Sequence, residues 1–161
     1  MLRLQAALAE AKHPDYSRVK FRKVTRASVA SAEKKLKVPL PPSYVELVTQ
    51  LGAFEVVGRN SASYNQLLTP AQMVQHTLML RAAYADDDPK TGDVLKDSLL
   101  FQGNLYLDNF FIFLISSKRK NGEMGVHEFY HDDQYVPPDG FCDLHAHMRD
   151  LVDNWVDTLA G

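Results

Sequence analysis

An α+β fold, with a twisted, mostly antiparallel sheet and flanking helices, is what this sequence predicts, and three observations predict it. The front half carries apolar residues at helical spacing behind clear start signals. The back half carries short runs rich in aromatic and β-branched residues. One further amphipathic helix closes the chain. At 161 residues, 45% hydrophobic and 24% charged, with 8 Gly and 8 Pro, the chain suits one ordinary domain and excludes collagen-like, low-complexity and wholly disordered classes. The expectation is a single domain over 1–161, with 1–24 as an N-terminal helix and extended lead-in.

The elements follow in order. Leu4, Leu8 and Ala11 give a helix over Leu2 to Lys12, stopped by His13-Pro14. Tyr16 to Val24 alternates Val19 and Phe21 against Arg18, Lys20 and Arg22, as an extended edge segment does. Thr25 caps a helix buried through Val29, Ala32 and Leu36, and Leu40-Pro41-Pro42 breaks it. A second helix from about Ser43 carries Tyr44, Leu47, Val48 and Leu51 on one stripe and stops at Gly52. Phe54 to Val57 is a short strand. Thr69-Pro70-Ala71-Gln72 is a capping box with proline in the first turn, opening a helix with Met73, Thr77, Leu80 and Tyr84 on one face and Val74 and Leu78 beside it. Asp86-Asp87-Asp88-Pro89 reads as an acidic loop. Leu99 to Gln102 is a strand, and Phe110 to Ile115 is apolar on both faces, the pattern of a central strand covered on both sides. Val126 to Tyr130 is a further strand. The last helix starts near Asp143 and buries Leu144, Met148, Leu151, Val152, Trp155 and Leu159.

A single cysteine, Cys142, excludes an intramolecular disulfide and any four-Cys metal site within the chain. No run reaches the 18 or so apolar residues of a membrane span, and the N-terminus lacks a secretory apolar core, so a soluble cytoplasmic protein is expected. The net charge of −2 is uneven: residues 1–40 hold ten Lys/Arg against three acids. Lys34, Lys35 and Lys37 read as the solvent side of a helix, and no nucleic-acid-reading motif accompanies them.

The segment VASAEKKLKVPLPPSYVELVTQLGA, then LLTPAQM, FFIFLI, GVHEFYH and FCDLHAHMRDLVDNWV, resembles in content and order the SUKH superfamily, small bacterial immunity proteins with fungal cell-wall regulators among their relatives. The resemblance spans about residues 25–159. Leu51-Gly52-Ala53 and Phe141-Cys142 depart from the family's commoner Asn-Gly-Gly-like turn and Ser-Phe pair. The resemblance implies binding in place of chemistry. Its bacterial members neutralise toxins, many of them nucleases, by direct contact, and it carries no shared catalytic residues.

Local motifs supply the rival. His127-Glu128-Phe129-Tyr130-His131 spells H-E-x-x-H, which on a helix chelates zinc through both histidines and aims the glutamate at a bound water. Here Gly122, Gly125 and Pro137-Pro138 flank aromatic and β-branched residues, and on a strand the two histidines stand about 13 Å apart. Cys142 and His145 share a helix face three residues apart, with His147 pointing elsewhere, and no third group orients them as a nucleophile and base. The acids are the candidate partner-binding residues: Asp86, Asp87, Asp88 and Asp93, with Asp97, in one region, and Asp132, Asp133 and Asp139, with Asp143, in another. Carboxylates can occupy the places where a nuclease binds phosphates, and complementary charge speeds encounter. Tyr64, Tyr84, Tyr106, Tyr130 and Tyr135 are candidate interface anchors. The expectation is therefore a non-enzymatic immunity protein that binds a protein toxin, with no cofactor, no metal, no direct nucleic-acid contact and no membrane. The alternatives are a regulatory interaction module and a zinc metallopeptidase through His127, Glu128 and His131.

Overall fold

A computed structural model describes residues 16–58, 63–85, 89–103, 109–130, 140 and 143–150. The expected helix over 2–12, and His131, Cys142 and Trp155, lie outside them. Among the described residues six strands form one antiparallel sheet in sequence order: β1 (Tyr16–Arg22), β2 (Ala53–Gly58), β3 (Ser63–Leu67), β4 (Ser98–Gly103), β5 (Asn109–Leu114) and β6 (Gly125–Tyr130). Five α-helices accompany it among the described residues, α1 (Arg26–Leu36), α2 (Pro42–Gln50), α3 (Pro70–Ala83), α4 (Pro89–Lys96) and α5 over residues 144–150, with a short 3-10 helix at Ile115–Ser117. This is the α+β architecture the sequence predicts.

Capping begins both long helices where the residues require it. Thr25 Oγ1 accepts from the Ser28 N–H at 3.2 Å, and Ser28 Oγ accepts from the Thr25 N–H at 3.3 Å. At α3, Thr69 and Gln72 make the same reciprocal pair, with Pro70 in the first turn. Val29, Ala32 and Leu36 are buried, as their spacing predicts, and so are Met73, Val74, Thr77, Leu80 and Tyr84. Leu78 is instead exposed. Gly52 ends α2 at φ +100°, where an added Cβ would stand 2.8 Å from the Arg22 carbonyl oxygen, so glycine is required there twice over.

Strand register sorts the core into two clusters. Leu99, Phe113 and Val126 align across β4, β5 and β6 on one face, beneath α1, α2, α5 and the start of α3. Leu100 and Ile112 align on the other face, where Phe129 joins Leu80 and Tyr84 of α3 and Leu95 of α4. β5 is thus covered on both sides, which explains its unbroken apolar run.

Sequence reasoning did not foresee β3 or α4. Ser-Tyr-Asn-Gln-Leu has no apolar alternation, and its extended form comes from pairing to strands on both sides. Pro-Lys-Thr-Gly-Asp-Val-Leu-Lys is too short and too polar to show a helical period, and burial of Thr91 and Leu95 anchors it.

β3 is also too short to cover β4, and α3 closes the gap. Beyond the last β3–β4 pair, the buried Leu100 N–H donates to Thr77 Oγ1 at 3.0 Å. Arg81, one turn further along α3, donates through Nη2 to the Ser98 carbonyl at 2.8 Å and through Nε to that of Leu95 at 3.1 Å. Two side chains of a helix thereby satisfy a strand edge that would otherwise bury unpaired backbone.

Candidate functional site

The proline segment is a structural latch. The α2 N-cap is Pro41, whose side chain accepts no hydrogen bond, so the helix needs an outside acceptor. Glu123, in the turn before β6, supplies it: its carboxylate accepts from the Ser43 N–H at 2.9 Å and from Ser43 Oγ at 2.6 Å. Gly122, at φ +88°, lets that turn close onto the Pro42 ring, 3.3 Å from where its Cβ would be. One residue on, Tyr44 is fully buried, donates to the Leu68 carbonyl at 2.7 Å and sets its ring edge-on to Phe113. Burial pushes its phenol pKa upward. Glu33 accepts from the Leu40 N–H at 2.9 Å. Ser43 and Tyr44 thus join elements 80 and 24 residues apart in the chain.

The H-E-x-x-H letters fall on β6, a pleated strand. His127 aligns with Ile112 and Glu128 with Phe111, so the two side chains leave opposite faces of the sheet. The Glu128 carboxylate accepts from the Tyr130 hydroxyl at 2.8 Å, and that hydrogen bond, with the charge behind it, raises the tyrosine pKa. The backbone at Gly140 lies against His127: a Cβ there would stand 2.7 Å from its Nδ1 and 2.5 Å from the Val126 carbonyl oxygen. A zinc-binding H-E-x-x-H needs its histidine and glutamate on one helix, and this pair has neither the helix nor a common side.

On the last helix His147 points away from His145, as the sequence reading has it. His145 is exposed, whereas His147 is buried on the stripe of Leu144 and Met148. Its ring lies 4.3 Å from that of Phe111 and edge-on to Phe101, and Nε2 is 3.0 Å from Gln102 Oε1. With the amide oxygen accepting, the ring proton sits on Nε2. The register slips between Leu100 and Gln102, and this bulge turns Phe101 and Gln102 to the same side, toward α5. Burial lowers the His147 pKa to about 4. The spacing 144, 147, 148 was the available signal, since those positions share a helix face.

Of the acids proposed to meet a partner, Asp86, Asp87, Asp88, Asp132, Asp133 and Asp139 lie outside the described residues. Asp93 is exposed on α4 and pairs with Lys96 at 3.1 Å. Asp97 accepts from the Ser116 N–H and hydroxyl, tying the end of α4 to the turn after β5. Asp143 Oδ1 accepts from the Ala146 N–H at 3.0 Å and caps α5. Among the candidate anchors, Tyr84 is buried edge-on to Phe129 and Tyr130 is half-buried, while Tyr106 and Tyr135 lie outside the described residues.

Among the described residues no helix is long and apolar enough to cross a membrane. Comparison with curated proteins returns no match. The model of the SMI1 / KNR4 family (SUKH-1) matches residues 23–160, taking in the proline latch, strands β2 to β6 and α5. The chain therefore belongs to the SMI1 / KNR4 (SUKH-1) family.

Proposed function

We propose that this chain is a non-enzymatic cytoplasmic immunity protein that binds a toxin, with nucleases the favoured class, and occludes its active surface. Family membership over residues 23–160 carries the reading, because SUKH proteins serve in immunity or regulation through protein contact. Geometry supports it: the one hydrolase-like motif is split across a sheet, and the family's most distinctive segment is spent on folding. The described strands share a single sheet, which supports treating 1–161 as one domain. Binding would be stoichiometric, with buried anchors setting affinity and charge setting encounter rate.

The test is co-expression with the toxin encoded by an adjacent reading frame. Growth rescue is expected. An intact, soluble protein that gives no rescue overturns the immunity reading and leaves the regulatory interaction module in its place.

A further inference from the structure

We propose that the outer face of α3 is a homodimer interface, its occupant the same face of a second copy of this chain, running antiparallel about a two-fold axis. A helix at a protein surface ordinarily turns charged residues outward. α3 does not. From Pro70 to Ala85 the one Asp, Glu, Lys or Arg residue is Arg81, and its guanidinium is spent on the Leu95 and Ser98 carbonyls. Met73, Val74, Thr77 and Leu80 fill the inner side. The outer side exposes Gln75, Leu78, Met79, Ala82, Ala83 and, just past the helix, Ala85. Leu78 is 49% and Met79 56% exposed, and they are two of the three large apolar side chains so exposed among the described residues. A single exposed leucine needs no explanation, whereas a helix with no charged face has the composition of a buried one.

The order of large and small residues along that face assigns the occupant. Leu78 and Met79 are large, and Ala82 and Ala83, one turn on, are small. A two-fold axis crossing α3 midway between the pairs sets each large pair over the alanines of the other copy. The symmetry makes that contact twice, so one chain supplies both halves of the fit. The same axis carries the polar Gln75 to the rim, beside the second copy's Ala85. An uncharged face also meets its own copy without like-charge repulsion. The sheet edges offer no such route. Pairing through edge strand β1 would set the exposed Lys20 and Arg22 against their own kind, and the Gly140 backbone lies against the Val126 carbonyl of β6.

The face stands on a rigid support. A capping box begins α3, and Thr77 and Arg81 fasten the helix to β4, so association costs little ordering. Size then sets the strength. Fourteen residues at 1.5 Å each make a helix about 21 Å long, so the contact falls below the roughly 1,200–2,000 Å² of stable complexes. A reversible dimer follows, with a Kd on the order of 100 μM. The inference goes beyond the immunity reading and does not depend on a toxin.

The experiment is sedimentation equilibrium of the native chain from about 1 μM to about 1 mM, bracketing that constant. Variants are Leu78→Glu with Met79→Glu, Ala82→Glu alone, and Lys120→Glu as a control whose charge change equals that of the pair. All four positions are exposed, and circular dichroism checks folding. Ala82→Glu removes no large side chain and keeps the test open if the pair fails to fold. The average mass of the native chain is expected to climb with concentration toward twice that of the monomer. The two α3 variants are expected to weaken the dimer at least about tenfold, and the control less than about twofold. Oxidised mixtures of Leu78→Cys and Ala82→Cys chains, each carrying Cys142→Ser, are expected to cross-link to one another in preference to themselves. A monomer throughout overturns the proposal, whether the face stays bare, is covered by a segment of its own chain or serves a different protein. So does a dimer that survives both α3 variants, an equal loss in the control, or an excess of like-with-like cross-links.

Discussion

His147 makes the stability of this fold depend on pH in a way its geometry sets. The ring is 2% exposed, wedged between Phe101 and Phe111, and bonded to Gln102. Its pKa falls from 6.5 to about 4 because burial penalises the imidazolium. At any pH between those values the unfolded chain binds a proton there and the folded chain does not. Stability is therefore fully present above about pH 6.5, declines as pH falls through that window, and levels off below about 4. The difference corresponds to about 3 kcal/mol, a large part of the roughly 5–15 kcal/mol typical of a domain. Urea denaturation of the native chain and of His147→Gln, which does not titrate and retains an amide donor for Gln102, isolates the effect. The native chain is expected to lose about 3 kcal/mol more than the variant between pH 7 and pH 4. Parallel slopes for the native chain and His147→Gln would refute the assignment of the buried imidazole.

Other outcomes follow from single contacts. Glu123→Ala removes the outside cap of α2 and strands the buried Ser43 hydroxyl, with an expected loss of about 1–2 kcal/mol in denaturant unfolding. Thr77→Val is close in volume but leaves the buried Leu100 N–H without its acceptor, so about 1–3 kcal/mol should be lost and exchange at that amide should accelerate in hydrogen–deuterium measurements. Gly52→Ala forces a left-handed backbone on a residue with a Cβ and drives it into the Arg22 carbonyl, with an expected cost of about 1–3 kcal/mol seen as a lower Tm. His127→Ala is expected to leave the zinc content of the purified protein unchanged by elemental analysis; a stoichiometric zinc lost with the substitution would restore the peptidase reading.

Local signals carried much of this protein. Thr25 and Thr69 announce their helices because a capping box is built from neighbours in sequence. Val29, Ala32 and Leu36 announce a buried face because helical period is a local property, and Phe110 to Ile115 announces a doubly covered strand by its lack of alternation. Gly122, Gly125 and the aromatic residues around His127 were enough to read H-E-x-x-H as a strand. What stayed hidden depends on partners distant along the chain. The Ser43–Glu123 latch, the Thr77 and Arg81 contacts that finish the edge of β4, and the His147–Gln102 pair created by a bulge each join residues from 17 to 80 positions apart. The polar strand Ser63–Leu67 belongs with them, since its extension comes from neighbours on both sides. Periodicity and caps are written in adjacent residues, so they can be read there. The Ser43–Glu123 and Gln102–His147 contacts are products of chain closure, and only the closed chain displays them.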